Sequence, residues 1–167
     1  MSTSAGLLAV ECVEVGPAEL EATVRVVDEG RMRTSAVSGV AARALQLLPG
    51  LARHTCENDA GLDALREFED TETPHLLEHV ASELMALSGS PRSLHGATEW
   101  DFAHDGRGVF RVRLEFDDDL VALGALREAV GVVEWLMADA SGAPPAPPPD
   151  VSAIVARLLK VRSRTGG

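Results

Sequence analysis

The sequence predicts an α+β domain. Two β-hairpins form a four-stranded antiparallel or mixed sheet packed on helices, in the order ββααββα, and a C-terminal helical tail follows. Three observations predict it. Two pairs of segments alternate apolar and polar residues and are each split by turn-forming glycine. Three longer segments repeat apolar residues at spacings of three and four. The two periodicities come in blocks rather than in strict alternation, the pattern of a sheet whose helices are segregated from it.

Residues 7–15 (LLAVECVEV) are a short apolar run in which Leu8, Val10 and Cys12 share a face expected to be buried. Residues 19–28 alternate more cleanly, with Leu20, Ala22, Val24 and Val26 on one side, and Gly16-Pro17 supplies the turn between the two runs. A helix comes next. Thr34 or Ser35 caps it, Val37, Val40, Ala41, Ala44, Leu45 and Leu48 form its stripe, and Pro49-Gly50 ends it. A loop through His54, Cys56, Asn58 and Asp59 leads to a short helix over residues 62–68. The second long helix covers residues 71–87, with Glu72 and Pro74 in its first turn and Gly89 beyond its end.

Residues 98–103 and 109–116 make the second hairpin across Asp105-Gly106. In the latter strand Phe110, Val112, Leu114 and Phe116 share a face opposite Arg111, Arg113 and Glu115. Asp117 or Asp118 caps the third long helix, whose stripe is Ala122, Leu126, Ala129, Val130, Val133, Leu136 and Met137. The run APPAPPP then reads as a stiff polyproline segment. The chain thus divides into a body over residues 1–143, a linker over 144–149 and a tail over 150–167. Residues 151–159 of the tail form an amphipathic helix that folds back on the body or docks on a partner.

Charge and composition narrow the function. The net charge is −11, and the tail holds Arg157, Lys160, Arg162 and Arg164 against Asp150, so the acidity is concentrated in the body. Such a balance lacks the basic footprint that nucleic-acid binding needs. No apolar run approaches the roughly 18 residues of a membrane span. The N-terminus has no basic region ahead of its apolar residues, so it does not read as a signal peptide, and a cytoplasmic location is expected. Two cysteines exclude a disulfide framework. An oligomer is compatible with all of these features.

One segment stands apart: His75-Leu-Leu-Glu78-His79, followed by Glu83. On a helix, residues four apart lie on one face about 5–6 Å apart at Cβ, so His75 and His79 can present two imidazoles to one metal ion. Glu78 falls beside them. This is the inverted zincin spacing H-x-x-E-H, in which two His hold zinc and the Glu acts on water. A catalytic zinc needs a third protein ligand. Glu83, His54, Cys56, Glu128 and Glu134 are the candidates, with Glu83 also able to support a ligand instead. On a helical wheel this His/Glu face lies opposite the stripe of Leu76, Leu77, Val80, Ala81, Leu84 and Leu87. The plain alternative is therefore a solvated polar face. His95 and His104 read as solvated loop residues, and Cys56 as a small buried side chain.

Taken together, Leu48-Pro49-Gly50-Leu51-x-x-His54-x-Cys56 and His75-x-x-Glu78-His79-Val80-Ala81-x-Glu83-Leu84 resemble the N-terminal domain of cyanophycin synthetases. The strand Val109-Phe110-Arg111-Val112 and its acidic end Glu115-Phe116-Asp117-Asp118 follow the same course. The resemblance implies a domain that engages a polymer of aspartate backbone and arginine side chains. In some members it also carries a metallopeptidase-like site that cuts the polymer. Carried over, that site is Glu78 as general base with His75, His79 and Glu83 around zinc. The ligase modules of those synthetases are not in this sequence, so a free-standing homologue is expected. After Gly96 the run Ala97-Thr98-Glu99-Trp100 lacks the family's usual basic residue, which bears on recognition of the same polymer. The expected function is binding, with hydrolysis, of cyanophycin or a related peptide. The alternative is a non-catalytic module that binds a peptide or a peptide ligase.

Overall fold

The alternating segments pair as two antiparallel hairpins, and the second strands of the two hairpins then pair with each other. In the computed structural model, which describes residues 6–56, 62–138 and 146–166, β1 (Leu8–Val15) and β2 (Glu19–Val26) form the first hairpin. β3 (Gly96–Glu99) and β4 (Val109–Glu115) form the second, and the sheet order is β1-β2-β4-β3. Every pairing is antiparallel, which resolves the choice between an antiparallel and a mixed sheet. The register sets Leu20 opposite Leu114, Ala22 opposite Val112 and Val24 opposite Phe110, so the apolar faces of the two central strands coincide. All six are buried.

The first strand departs from the expected alternation. A register shift lies between Val10 and Cys12, leaving Glu11 as an extra residue. Val10 lies opposite Val24, whereas beyond the bulge Cys12 meets Thr23 and Val13 meets Ala22. Cys12 is therefore turned to the outer face and is exposed, and Val13 takes the inner place. Val10, on an edge strand, stays 38% exposed, so of the predicted trio only Leu8 is buried.

The first helix, α1 (Val40–Leu47), begins later than its capping signal suggested. The hydroxyl of Thr34 instead accepts the Thr71 amide proton, and Thr34–Ala36 make one 3₁₀ turn. Pro49–Arg53 form another 3₁₀ segment, and α2 spans Ala64–Glu69. α3 (Thr73–Leu87) has Pro74 in its first turn, as read from the sequence. β3 starts and stops earlier than expected. The Asp101 side chain accepts the His104 amide proton and starts a short helix, α4 (Phe102–Asp105), where strand was predicted. Asp118 caps α5 (Asp119–Leu136) by accepting from the Val121 amide.

The helices cover the inner face of the sheet: α3 packs mainly on β3 and β4, and α5 packs beside α3 and touches β1 and β2. The last helix, α6, runs to Thr165 (Val151–Thr165) rather than ending near residue 159. It lies on α5 with Ile154 and Leu158 buried. Its basic residues meet acidic ones: Arg157 forks onto Glu128 at 3.1 Å, and Arg162 reaches Asp117 at 2.8 Å and the Ser88 carbonyl at 2.6 Å. The predicted boundary at 143, the first linker residues and the loop residues Asn58 and Asp59 lie outside the described residues. Among the described residues, no helix is long and apolar enough to cross a membrane.

Leu84 sits at the centre of this packing with no exposed surface. Leu84→Ala is expected to cost about 2–5 kcal/mol in urea denaturation; a loss under about 1 kcal/mol would show that α3 is not the buried centre.

Candidate metal centre

Helical spacing places His75, Glu78, His79 and Glu83 on one side of α3, as the sequence indicated. That side is not solvated. Glu78 and His79 are each 5% exposed and Glu83 is 1% exposed, while the opposite apolar stripe is buried as well except at its end, where Leu87 is exposed. The segment from Leu48 to Cys56, the edge of Phe68 on α2, and the residues around Arg92 and β3 cover the polar face. Two glycines make the cover fit. A Cβ at Gly50 would overlap the Glu83 carboxylate, and a Cβ at Gly96 would overlap that of Glu78. The LPGL turn is thus a lid on Glu83.

Three donor atoms converge. His79 Nε2 lies 3.0 Å from His75 Nε2 and 3.2 Å from Cys56 Sγ, and the three atoms lie within 4.8 Å of one another. Tetrahedral zinc with N and S ligands spaces its donors by roughly 3.3–3.6 Å, so this set needs only small outward shifts. Cys56, one of several candidates by sequence, is the residue brought to the histidine pair. Glu83 faces elsewhere: Arg92 forks onto its two oxygens at 2.8 and 3.1 Å, and His54 Nε2 meets it at 2.8 Å. Glu128 is held by Arg157, and Glu134 accepts the Leu8 amide, so neither joins the cluster.

The hydrogen bonds fix which nitrogen is bare. The Glu83 carboxylate can only accept, so His54 Nε2 donates to it. For neutral imidazoles, His54 Nδ1 then accepts from His79 Nδ1 at 2.9 Å, which leaves the His79 Nε2 lone pair facing His75 and Cys56. His75 Nδ1 is 2.8 Å from Thr71 Oγ1, whose own proton goes to Glu72, so His75 Nε2 is bare too. Two lone pairs 3.0 Å apart repel unless a cation or a proton lies between them. The network therefore suits a metal ion.

Charge states agree. Burial, with the neighbouring His75 and His54, holds His79 well below its ordinary range, and burial lowers His75 against the pull of Glu67 and Glu72. Both imidazoles are neutral, the form that ligates. Burial, with Glu67 and Glu78 nearby, pushes the Cys56 thiol up to about 12 while no cation offsets them. Burial also lifts Glu78 to about 7, although its bond from Thr98 Oγ1 at 3.1 Å pulls the other way. Burial would raise Glu83 as well, but the hydrogen bonds from His54 and Arg92 overcome it and bring the carboxyl to about 2. The lowered Glu83 stabilises the fold above pH 4.5, and that contribution is lost as pH falls toward 2.

Glu78 Oε2 lies 3.8 Å from His75 Nε2. The group opens into a cleft of about 780 Å³ whose acidic lining is Glu67, Glu72, Glu78, Glu99 and Glu115, against Arg53 and Arg92. His95 lines the same cleft and His104 is exposed beside Asp105. Arg92, Thr98 and Thr71 were not legible as site residues: each lies outside the motif and has no periodic signal. Two His and a Cys able to hold a metal ion thus stand with a carboxylate beside them and open space in front.

A family model described as the cyanophycin synthase-like N-terminal domain matches residues 22–138 of the 167. No curated protein matches the chain.

Arg92→Ala removes the fork that fixes Glu83 and so loosens the His54 contact that orients His79. Zinc affinity, measured by competition with a chelating dye, is expected to fall about 10–100-fold. An unchanged affinity would show that this chain of contacts does not hold the ligand.

Proposed function

This chain belongs to the cyanophycin synthase-like N-terminal domain family, and on that premise we propose that it is a zinc-dependent peptidase acting on cyanophycin or a related peptide. The observation that carries the reading is the meeting of Cys56 Sγ, His75 Nε2 and His79 Nε2 at one point, with the Glu78 carboxylate beside them in an open cleft. The acidic lining suits a substrate with cationic side chains such as arginine.

Cys56, His75 and His79 would hold the zinc. When bound, it polarises the scissile carbonyl and eases ionisation of water. The protein's own groups do the rest. Glu78 takes the proton of the attacking water as the new C–O bond forms, and delivers it to the leaving nitrogen as the C–N bond breaks. Thr98 fixes one oxygen of Glu78, leaving the carboxylate aimed into the cleft. His54 and Glu83 keep the His79 Nε2 lone pair turned toward His75 and Cys56, where the metal would sit.

Zinc is expected at one equivalent in the purified, zinc-supplied protein by elemental analysis, and lost in His79→Ala and Cys56→Ala. Glu78→Gln should retain zinc and the fold while peptide hydrolysis falls about 10²–10⁴-fold. A zinc-supplied protein that binds no metal sinks the proposal. A Glu78→Gln variant with undiminished function would favour the non-catalytic module that binds a peptide or a ligase.

A further inference from the structure

β3 is an edge strand: it pairs with β4 on one side, and among the described residues no strand pairs with the other. Its backbone groups can be assigned to sides from the register. The Glu115 amide donates to the His95 carbonyl, on the β3 side of β4, whereas the Phe116 amide donates to the Ala18 carbonyl on the β2 side. Antiparallel ladders alternate in this way. Ala97 and Glu99, opposite Arg113 and Arg111, therefore bond to β4, and the N–H and C=O groups of Gly96 and Thr98 point outward.

That outward edge does not face bulk solvent alone. Gly96, Ala97, Thr98, Glu99 and Trp100, five consecutive residues, line the cleft that holds His75, Glu78 and His79. The two residues with free backbone groups are the two that touch Glu78. Thr98 Oγ1 donates to its carboxylate, and Gly96 gives up its side-chain volume to it. The base is thus held in register with the open strand. Beyond the strand, Trp100 is 48% exposed with its ring 5.7 Å from Phe110, a fixed apolar surface at the end of the edge.

We infer that the peptide substrate binds as an extended strand on the free edge of β3, pairing with the backbone of Gly96 and Thr98 so that its amide bond lies before Glu78 and the metal ligands. Main-chain pairing of this kind supplies affinity without regard to side chains, while the pockets beside it select them. An unpaired edge is otherwise a liability that folds blunt or cover. This inference rests on the peptidase reading for its substrate, not for the geometry of the edge.

The test uses full-length Glu78→Gln, zinc-supplied, with a capped tetra-aspartate whose side-chain carboxyls carry arginine. Amide hydrogen exchange is followed by NMR with and without the peptide. Exchange at Gly96 and Thr98 should slow at least about tenfold on saturation, a hydrogen bond's worth of protection, while Ala97 and Glu99, already bonded to β4, change little. Thr98→Pro removes the outward N–H, a change that edge strands tolerate, together with the hydroxyl, and should weaken binding about tenfold; Thr98→Ala, which removes the hydroxyl alone, is the control and should weaken it far less. Saturable binding that leaves Gly96 and Thr98 unprotected overturns the edge inference and spares the peptidase. Protection at both residues in a wild-type protein that never cleaves supports the edge and overturns the peptidase. No binding of this peptide overturns both.

Discussion

The structure depends on one buried carboxylate. Glu83 is 1% exposed in the middle of the fold, and such a group is tolerated only when paired and hydrogen-bonded. Arg92 forks onto it from one side and His54 meets it from the other, so two segments distant in sequence are pinned to α3 at one point. From that pin, His79 is oriented through His54, and the turn containing Gly50 closes over the carboxylate. Removing either partner would leave a charge in the interior, which costs more than the pair contributes. The site is thereby built on a helix and braced by the core, not carried on a loose loop.

The motif was legible and its surroundings were not, for one physical reason. Spacing along α3 is local: the helix alone places His75, Glu78, His79 and Glu83 on one side. Whether that side meets water is decided by residues far away in sequence. The wheel shows an apolar stripe opposite a polar face and suggests a surface helix, yet Glu78, His79 and Glu83 are buried, as are Leu76, Val80 and Leu84 opposite them. His54 and Cys56 come from about 20 residues before the pair, and Arg92 and Thr98 from a similar distance after it. None belongs to a periodic run. Cys56 was within reach of the sequence as a candidate, but its type alone favoured simple burial.

The fold shows the same division. Alternation located the inner faces of β2 and β4 correctly, because a strand's period is enough where both neighbours are present. It failed at β1, since alternation cannot announce an inserted residue, and there Glu11 reverses the faces that Cys12 and Val13 take. Capping residues misled once and served once. Thr34 spends its hydroxyl on the Thr71 amide instead of starting a helix, whereas Asp118 starts α5 as expected. A short polar side chain near a chain turn has several amides in reach, and the tertiary fold selects among them.

The bulge at Glu11 also decides how molecules of this kind meet one another. A sheet has two borders, and either can template a foreign strand. On the β1 border the extra residue interrupts the ladder, and the Glu11 carboxylate is tied to Arg25 at 2.6 Å, so a neighbouring molecule finds neither an even row of amides nor an uncharged surface. The opposite border is only four residues long, too short to propagate a fibril.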